Sequence, residues 1–398
     1  MAVPRGGHRR GDRLVRPGVD PYLRVLAAVS LLVVVADVAG LAGPAVLFPA
    51  VGVLFAVAGA VAASVVDSTG SGRRALTTLL LPFWLFAAAV LTTMLVRGWR
   101  ADPFQGAEPF SWTTVWFWLV PVSAPPASVE GIPWVLTAWI VPTLFWLTLA
   151  TPALLWLSRR WPLRLLAVPV ITVLVLTAGL ATLTGRSREV LLQVCVHACC
   201  WLVGFARHDG RLSRLHPGVA LAGGLALLGA GLAYAGWRQD VYEAGRLEDI
   251  PLAALLHSLG AVVLLLRVPW RGDRLRTGWP GAVVEAVGAR STTLFLWAPV
   301  AAAASVPALA MSPLAAYHTD DASGALLRYA ATWLLLLVVV LLAGWAEDLG
   351  AGRRPTLAGA PRPPRPAGVQ RTYVVRDNVV GGPVPAEPVV PGPPPAAR

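Results

Sequence analysis

From Tyr22 to Ala346 the chain is built of ten apolar stretches of about 20 residues, separated by short loops that carry arginine. A helix of about 20 residues rises about 30 Å, the depth of a bilayer's hydrocarbon core. Backbone polar groups find no water there, so a spanning segment must satisfy them internally, which a helix does. The pattern therefore predicts an all-α, polytopic membrane protein with about ten transmembrane helices. The expected spans lie near 22–43, 45–66, 75–96, 132–158, 163–184, 190–206, 218–237, 251–269, 290–311 and 325–346. Three parts follow: a basic N-terminal segment at 1–21, a transmembrane domain at 22–348 and a Pro-rich tail at 349–398. The first apolar run exceeds the roughly 7–15 residues of a signal-peptide core, so it reads as an uncleaved span.

Composition excludes the soluble alternative. Charged residues make up 14% of the chain and hydrophobic ones 56%, against about 25% and about 45–50% in soluble domains. The net charge of +12 comes from 33 basic residues, all arginine. They form no single basic face, do not interleave with aromatics and accompany no zinc-finger spacing, which argues against a nucleic-acid partner. They lie instead between the apolar runs, as loops flanking a bilayer do. With a cytoplasmic N-terminus, the internal loops hold eleven arginines (Arg73, Arg74, Arg159, Arg160, Arg164, Arg207, Arg211, Arg214, Arg271, Arg274, Arg276) and the external loops six (Arg97, Arg100, Arg186, Arg188, Arg238, Arg246). Arg5, Arg9, Arg10, Arg13 and Arg16 add to the inside, so both termini are expected in the cytoplasm.

Two segments depart from the spanning pattern. Trp112, Trp116, Phe117 and Trp118, followed by Pro125 and Pro126, are expected to lie at headgroup level, where aromatic rings concentrate. In the tail, Pro361–Pro366 and Pro391–Pro395 cannot continue a helix, so the segment is expected to be extended.

Few polar groups interrupt the apolar runs. Cys195, His197, Cys199 and Cys200 resemble a metal-binding run. On a helix, however, His197 lies about 200° around from Cys195, so the set cannot close on one tetrahedral ion unaided and no metal is expected. Asp37 and His257 are ionisable groups inside expected spans, which makes each a functional candidate. A helix-end acid for the first and an interhelical hydrogen bond for the second are the alternatives. Glu285 and Arg290, five residues apart, could pair with each other, or Arg290 could hold a phosphate; an arginine snorkelling at a helix end is the alternative. No phosphate-binding glycine loop, His-Glu-x-x-His or nucleophile-elbow pattern is present.

A series of short motifs in order resembles acyltransferase family 3. They are Arg24-Val-Leu-Ala-Ala, Phe48-Pro-Ala-Val-Gly-Val-Leu-Phe55 with Gly59, Trp118-Leu-Val-Pro-Val with Pro125-Pro126, and Gly204-Phe-Ala-Arg-His-Asp-Gly-Arg-Leu212. Asp249-Ile-Pro-Leu, Ser258-Leu-Gly, Thr293-Leu-Phe-Leu-Trp297 and Gly344-Trp-Ala-Glu-Asp348 complete the order. The resemblance implies a bacterial plasma-membrane protein of about ten helices. It also implies acyl transfer from acyl-CoA, as co-substrate rather than bound cofactor, to an envelope glycan or small molecule. The family's first helix carries a basic His eleven residues after its Arg, a place held here by Val35. Its Arg-x-x-Arg falls on Ala75 and Thr78, next to Arg73 and Arg74, and its Leu-Trp-His-Asn reads Leu296-Trp-Ala-Pro299. Asp37, two residues past Val35, lies about 200° around the helix. The catalytic candidates are thus Arg24, Asp37 and His257, and the candidates for holding acyl-CoA are Arg73, Arg74 and Arg290. Two principal readings stand: an acyltransferase with a rearranged base, and a catalytically inactive scaffold that binds a lipid or a partner. A transporter would call for paired broken helices or an internal repeat, neither of which is clear here.

Overall fold

A computed structural model describes residues 20–41, 48–100, 108–242, 247–268, 278–315 and 321–356. The arginine lead, loop residues Arg246, Arg271, Arg274 and Arg276, and the tail from 357 onward lie outside the described residues. By contacts the chain divides into a unit at 1–360 and a second at 361–398, the second wholly outside them.

The described elements are helical throughout. They run α1 (Pro21–Val38), α2 (Ala50–Thr69), α3 (Arg73–Val96), α4 (Trp112–Leu119), a 3-10 turn at Val129–Val135, α5 (Ile140–Arg160), α6 (Pro162–Thr177) and α7 (Gly185–His208). A short turn at Arg211–Arg214 leads to α8 (Pro217–Tyr242), α9 (Pro251–Arg267), α10 (Gly278–Ala289), α11 (Ser291–Ala310), α12 (Ala322–Ala343) and α13 (Trp345–Gly350). Eight of these are long and apolar enough to cross a membrane, which makes this an all-α polytopic membrane protein. The two other expected spans are present as shorter apolar helices, α6 with 16 residues and α9 with 17. These rise only about 24–26 Å. The chain leaves α6 at Gly179, whose positive φ of 72° suits glycine and stops the helix short.

The fourth span begins at Ile140, later than its apolar content predicts. Ser128 accepts the Gly131 N–H at 3.1 Å and Pro133 lacks a donor, so the chain before α5 forms a 3-10 turn instead. The aromatic stretch folds as α4, started by a reciprocal Ser111–Thr114 capping box. Trp118 turns inward against Phe86 and donates its indole N–H to Pro126 O at 3.1 Å, while Trp112 and Trp116 stay exposed. One buried and two outward rings suit a helix lying along a membrane surface.

At the centre stands α7, packed against α2, α5, α6 and α9. In hydrocarbon, helices are drawn together by close packing, so small residues mark the tightest crossings. Gly59 of α2 faces the Trp201 backbone of α7, and Gly204 of α7 faces the Ala56 backbone of α2. A β-carbon on either would land on main-chain atoms, which cannot swing aside as a side chain can. Gly204→Ala is therefore expected to cost about 1–3 kcal/mol by overpacking. Thermal unfolding in detergent reads this directly, and an unchanged melting temperature would show that the crossing is loose.

Residues 351–356, which their composition assigns to the tail, bond to the membrane domain. Arg74 donates to Ala351 O at 2.6 Å and Thr77 to Gly350 O at 3.0 Å, which fixes α13 and its exit beneath the start of α3.

Candidate functional site

The two ends of the helix bundle differ in chemistry. At the arginine-rich end many described charges are paired. Arg207 meets Asp20 at 2.8 Å, Arg24 meets Glu285 at 3.4 Å, and Arg159 bridges Asp67 at 2.7 Å and Asp209 at 2.8 Å. His208 joins through Asp67 at 2.9 Å. Asp67, His208 and Asp209 bring their donor atoms close enough for a metal ion. The Arg159 guanidinium, bonded to both carboxylates, stands where that cation would sit.

Deepest at this end lies Arg290, the N-cap residue of α11. It is 2% exposed and donates to Gly344 O at 2.6 Å, to Asp348 Oδ2 at 2.7 Å and to Thr356 O. Beside it, Glu347 Oε1 accepts the Thr293 N–H at 2.5 Å, one of the donors left open in the first turn of α11. Burial pushes the Glu347 carboxyl up to about 7, with the Thr293 N–H and the Arg290 charge pulling the other way. For Asp348 burial also works upward, but hydrogen bonds from Arg290 and the Thr356 N–H outweigh it and hold the carboxyl below its ordinary range. Glu285 and Arg290 do not pair with each other: Glu285 bonds Arg24, and Arg290 bonds Asp348. The helix breaks at Arg290, so the two residues do not share one helical face.

The structure does not bring the six candidates read from the sequence into one site. Arg24 and Arg290 are each engaged in an ion pair, Arg74 bonds Ala351 O, and Arg73 is exposed at the start of α3. Asp37 is half-buried in the last turn of α1, at the opposite end of the bundle from Arg24. His257 is buried in the middle of α9, where its Nε2 makes no hydrogen bond to the described residues. Val35 is fully buried in the main core.

A different polar group lies toward the other end of the bundle. Glu189, Gln193 and His197 recur every fourth residue along α7 and so share one face. His197 sits between the rings of Phe55, centroid 4.3 Å away, and Trp139, at 5.5 Å. Its Nδ1 lies 2.8 Å from Gln193 O. A carbonyl oxygen only accepts, so Nδ1 carries the proton and Nε2 keeps its lone pair. That nitrogen makes no hydrogen bond to the described residues, and neither do Ser258 Oγ or the Gln193 amide.

His197, Gln193 and Ser258 all line a cavity of about 20 Å³ between α2, α7 and α9, together with Glu248 and Pro251. The volume suits one water molecule or one hydroxyl group. Gly52 forms part of the wall, and a β-carbon there would lie 2.6 Å from Ser258 Cβ. Across Gln193 a second cavity of about 180 Å³ is lined by Ser123, Trp139, Pro142, Thr143 and Glu189. Arg186 stacks on Phe117 at 4.7 Å and donates to Ala124 O at 3.1 Å, pinning the loop beside this second cavity.

The arrangement can hold a small polar group whose donor hydrogen meets His197 Nε2. Sequence reasoning absorbed His197 into the cysteine run and passed over its partners. In the structure Cys195 turns toward Thr172, and Cys200 lies near Gly52. The four-residue spacing of Glu189, Gln193 and His197 was the available signal. Compared with known proteins, the chain matches no family model, no curated sequence and no solved structure.

Proposed function

We propose that this protein is an acyltransferase-family-3-like enzyme of the bacterial plasma membrane. It moves an acyl group from acyl-CoA to a hydroxyl of an envelope glycan or small molecule. The arginine bias supports cytoplasmic termini, an orientation in which the end of α7 that carries Glu189 faces the envelope. The observation that supports this reading is the cavity itself. A histidine held in its acceptor tautomer, 6% exposed, meets an unpartnered serine and glutamine in a space the size of one hydroxyl. A base able to take a proton is what turns an alcohol into a nucleophile.

A second reading, a scaffold that binds the same ligand without chemistry, draws support from the other end. Val35 stands where the resemblance expects a base, and Arg24, Arg74 and Arg290 already have protein partners. The test compares acyl esters on envelope glycans between a deletion strain and the same strain carrying the wild-type copy. An ester lost on deletion and restored on complementation supports transfer, and unchanged esters favour the scaffold. Reporter fusions at Gly70 and Gly210 are expected to report cytoplasm, and a fusion at Ala322 the exterior. Reversal at two of the three would turn that end of α7 toward the cytoplasm.

A further inference from the structure

We propose that Arg73, Arg74, Arg353 and Arg354, gathered where the chain leaves α13, hold the headgroups of anionic phospholipids. This surface shares no residue with the cavities beside α7, and the proposal is independent of acyl transfer. Two of the arginines open α3 and two follow α13, and backbone contacts bring the pairs together. Arg74 donates to Ala351 O at 2.6 Å, and Thr77 donates to Gly350 O at 3.0 Å. A β-carbon on Gly352 would lie 3.7 Å from the Arg74 guanidinium. All four arginines are exposed. Arg24, Arg159, Arg207 and Arg290 each meet a carboxylate closely. By contrast, Arg73, Arg74 and Arg354 make no ion pair with the described residues, and Arg353 reaches Asp348 only at 3.5 Å. The acids of α13, Glu347 and Asp348, are 3% and 2% exposed and bond Thr293 and Arg290, so they face α11 rather than the surface. Guanidiniums left in this state attract an anion, and their planar fork suits phosphate oxygens.

The apolar half of the surface decides which anion. Trp345 and Leu349 share the outward face of α13, while Ala346, Glu347, Asp348 and Gly350 are buried. The Trp345 indole N–H is satisfied by Leu342 O at 2.7 Å, so its exposed ring offers an apolar contact. A phospholipid brings both complements, a phosphate and the acyl carbons below it. A soluble phosphate would leave the apolar half bare. Position agrees. Arg73 begins one spanning helix, α3, and α13 follows directly on the end of another, α12. Basic groups just outside a span lie at headgroup level and draw anionic lipid.

The test uses the full chain in an uncharged detergent, titrated with dioctanoyl phosphatidylglycerol or dioctanoyl phosphatidylcholine and read by native mass spectrometry. Both lipids carry a phosphate, but choline cancels its charge. Wild type is expected to bind the glycerol lipid more tightly, and added salt to erode that preference. Arg353→Gln with Arg354→Gln is expected to weaken phosphatidylglycerol roughly fivefold per arginine, the worth of one basic group at an anionic surface, and to leave phosphatidylcholine unchanged. Arg160→Gln with Arg164→Gln removes two other exposed arginines, one each from α5 and α6, and is expected to keep the preference. Trp345→Ala is expected to weaken both lipids alike. Three results would each overturn the proposal: equal binding of the two lipids by wild type, equal losses in the two double variants, or displacement of phosphatidylglycerol by an equal concentration of coenzyme A. The last would assign the arginines to a soluble phosphate. Should a variant fail to fold, the wild-type preference and its response to salt still decide. Lipid preference in a protein whose deletion leaves envelope esters unchanged keeps this proposal and removes the transferase reading. Esters that depend on the protein, beside equal binding of the two lipids, do the reverse.

Discussion

Replacing Arg290 by methionine is expected to destabilise the membrane domain by about 3–5 kcal/mol, the usual cost of breaking a buried ion pair from one side. The size follows from what the guanidinium holds together. It joins Gly344 O, Asp348 Oδ2 and Thr356 O, which ties the start of α11 to α13 and to the chain beyond it. With methionine in its place, Asp348, 2% exposed, loses its bonded cation and keeps the Thr356 N–H at 3.1 Å, the Thr356 hydroxyl at 3.4 Å and Arg353 at 3.5 Å. The two carbonyls lose a donor as well. Unfolding in a denaturing detergent, followed by intrinsic fluorescence, reads the loss. A control variant, Arg290→Met with Asp348→Leu, is expected to recover much of it, since an apolar pair leaves no buried charge behind. If the single variant unfolds together with wild type, the cluster is solvated and the burial argument fails. Cutting the chain after Gly350 should then give a smaller loss than Arg290→Met, because Arg290 and Asp348 retain each other.

The membrane fold was legible because its cause is local. Each apolar run is long enough for the hydrocarbon and must satisfy its own backbone, so spans near 75–96 and 290–311 correspond to α3 and α11 with shifts of a residue or two. The errors came where local chemistry overrides length. Pro133 delays α5, Gly179 ends α6, and neither effect shows in a hydropathy average. The polar site was far less legible, since it depends on which helices become neighbours. From sequence Arg290 could pair with Glu285, hold a phosphate or snorkel at a helix end, whereas its partner lies 58 residues downstream. His197 gave a sharper lesson. Its neighbours in sequence are three cysteines, whereas its neighbours in space are Phe55 and Trp139, with Ser258 lining the same cavity. The helical period that separates it from Cys195 also joins it to Gln193 and Glu189. No reading of one chain segment could have supplied Ser258, which α9 brings to the cavity.

A pH effect on stability is expected to come from Glu347. Its carboxyl, 3% exposed, is raised by burial to about 7, against about 4.3 for an unstructured glutamate. The folded state therefore holds a proton that the unfolded chain releases at lower pH. This group's contribution to stability is fully present below about pH 4.3, declines as pH rises, and is gone above about pH 7. The change across that window is on the order of 3 kcal/mol. Asp348, one residue on, titrates in the opposite sense. Its carboxyl is held below the ordinary range, so its contribution is present at neutral pH and lost only in acid. The two windows scarcely overlap, which lets one substitution isolate one of them. Glu347→Gln keeps a carbonyl oxygen for the Thr293 N–H, now accepted at 2.5 Å, and removes the ionisation. Between about pH 5 and pH 8 the wild-type melting temperature is expected to fall while that of Glu347→Gln stays nearly level, leaving the variant the more stable protein at about pH 8. Parallel slopes for the two proteins would mean that Glu347 ionises as freely in the folded chain as in the unfolded one, so that water reaches the pocket between α11 and α13.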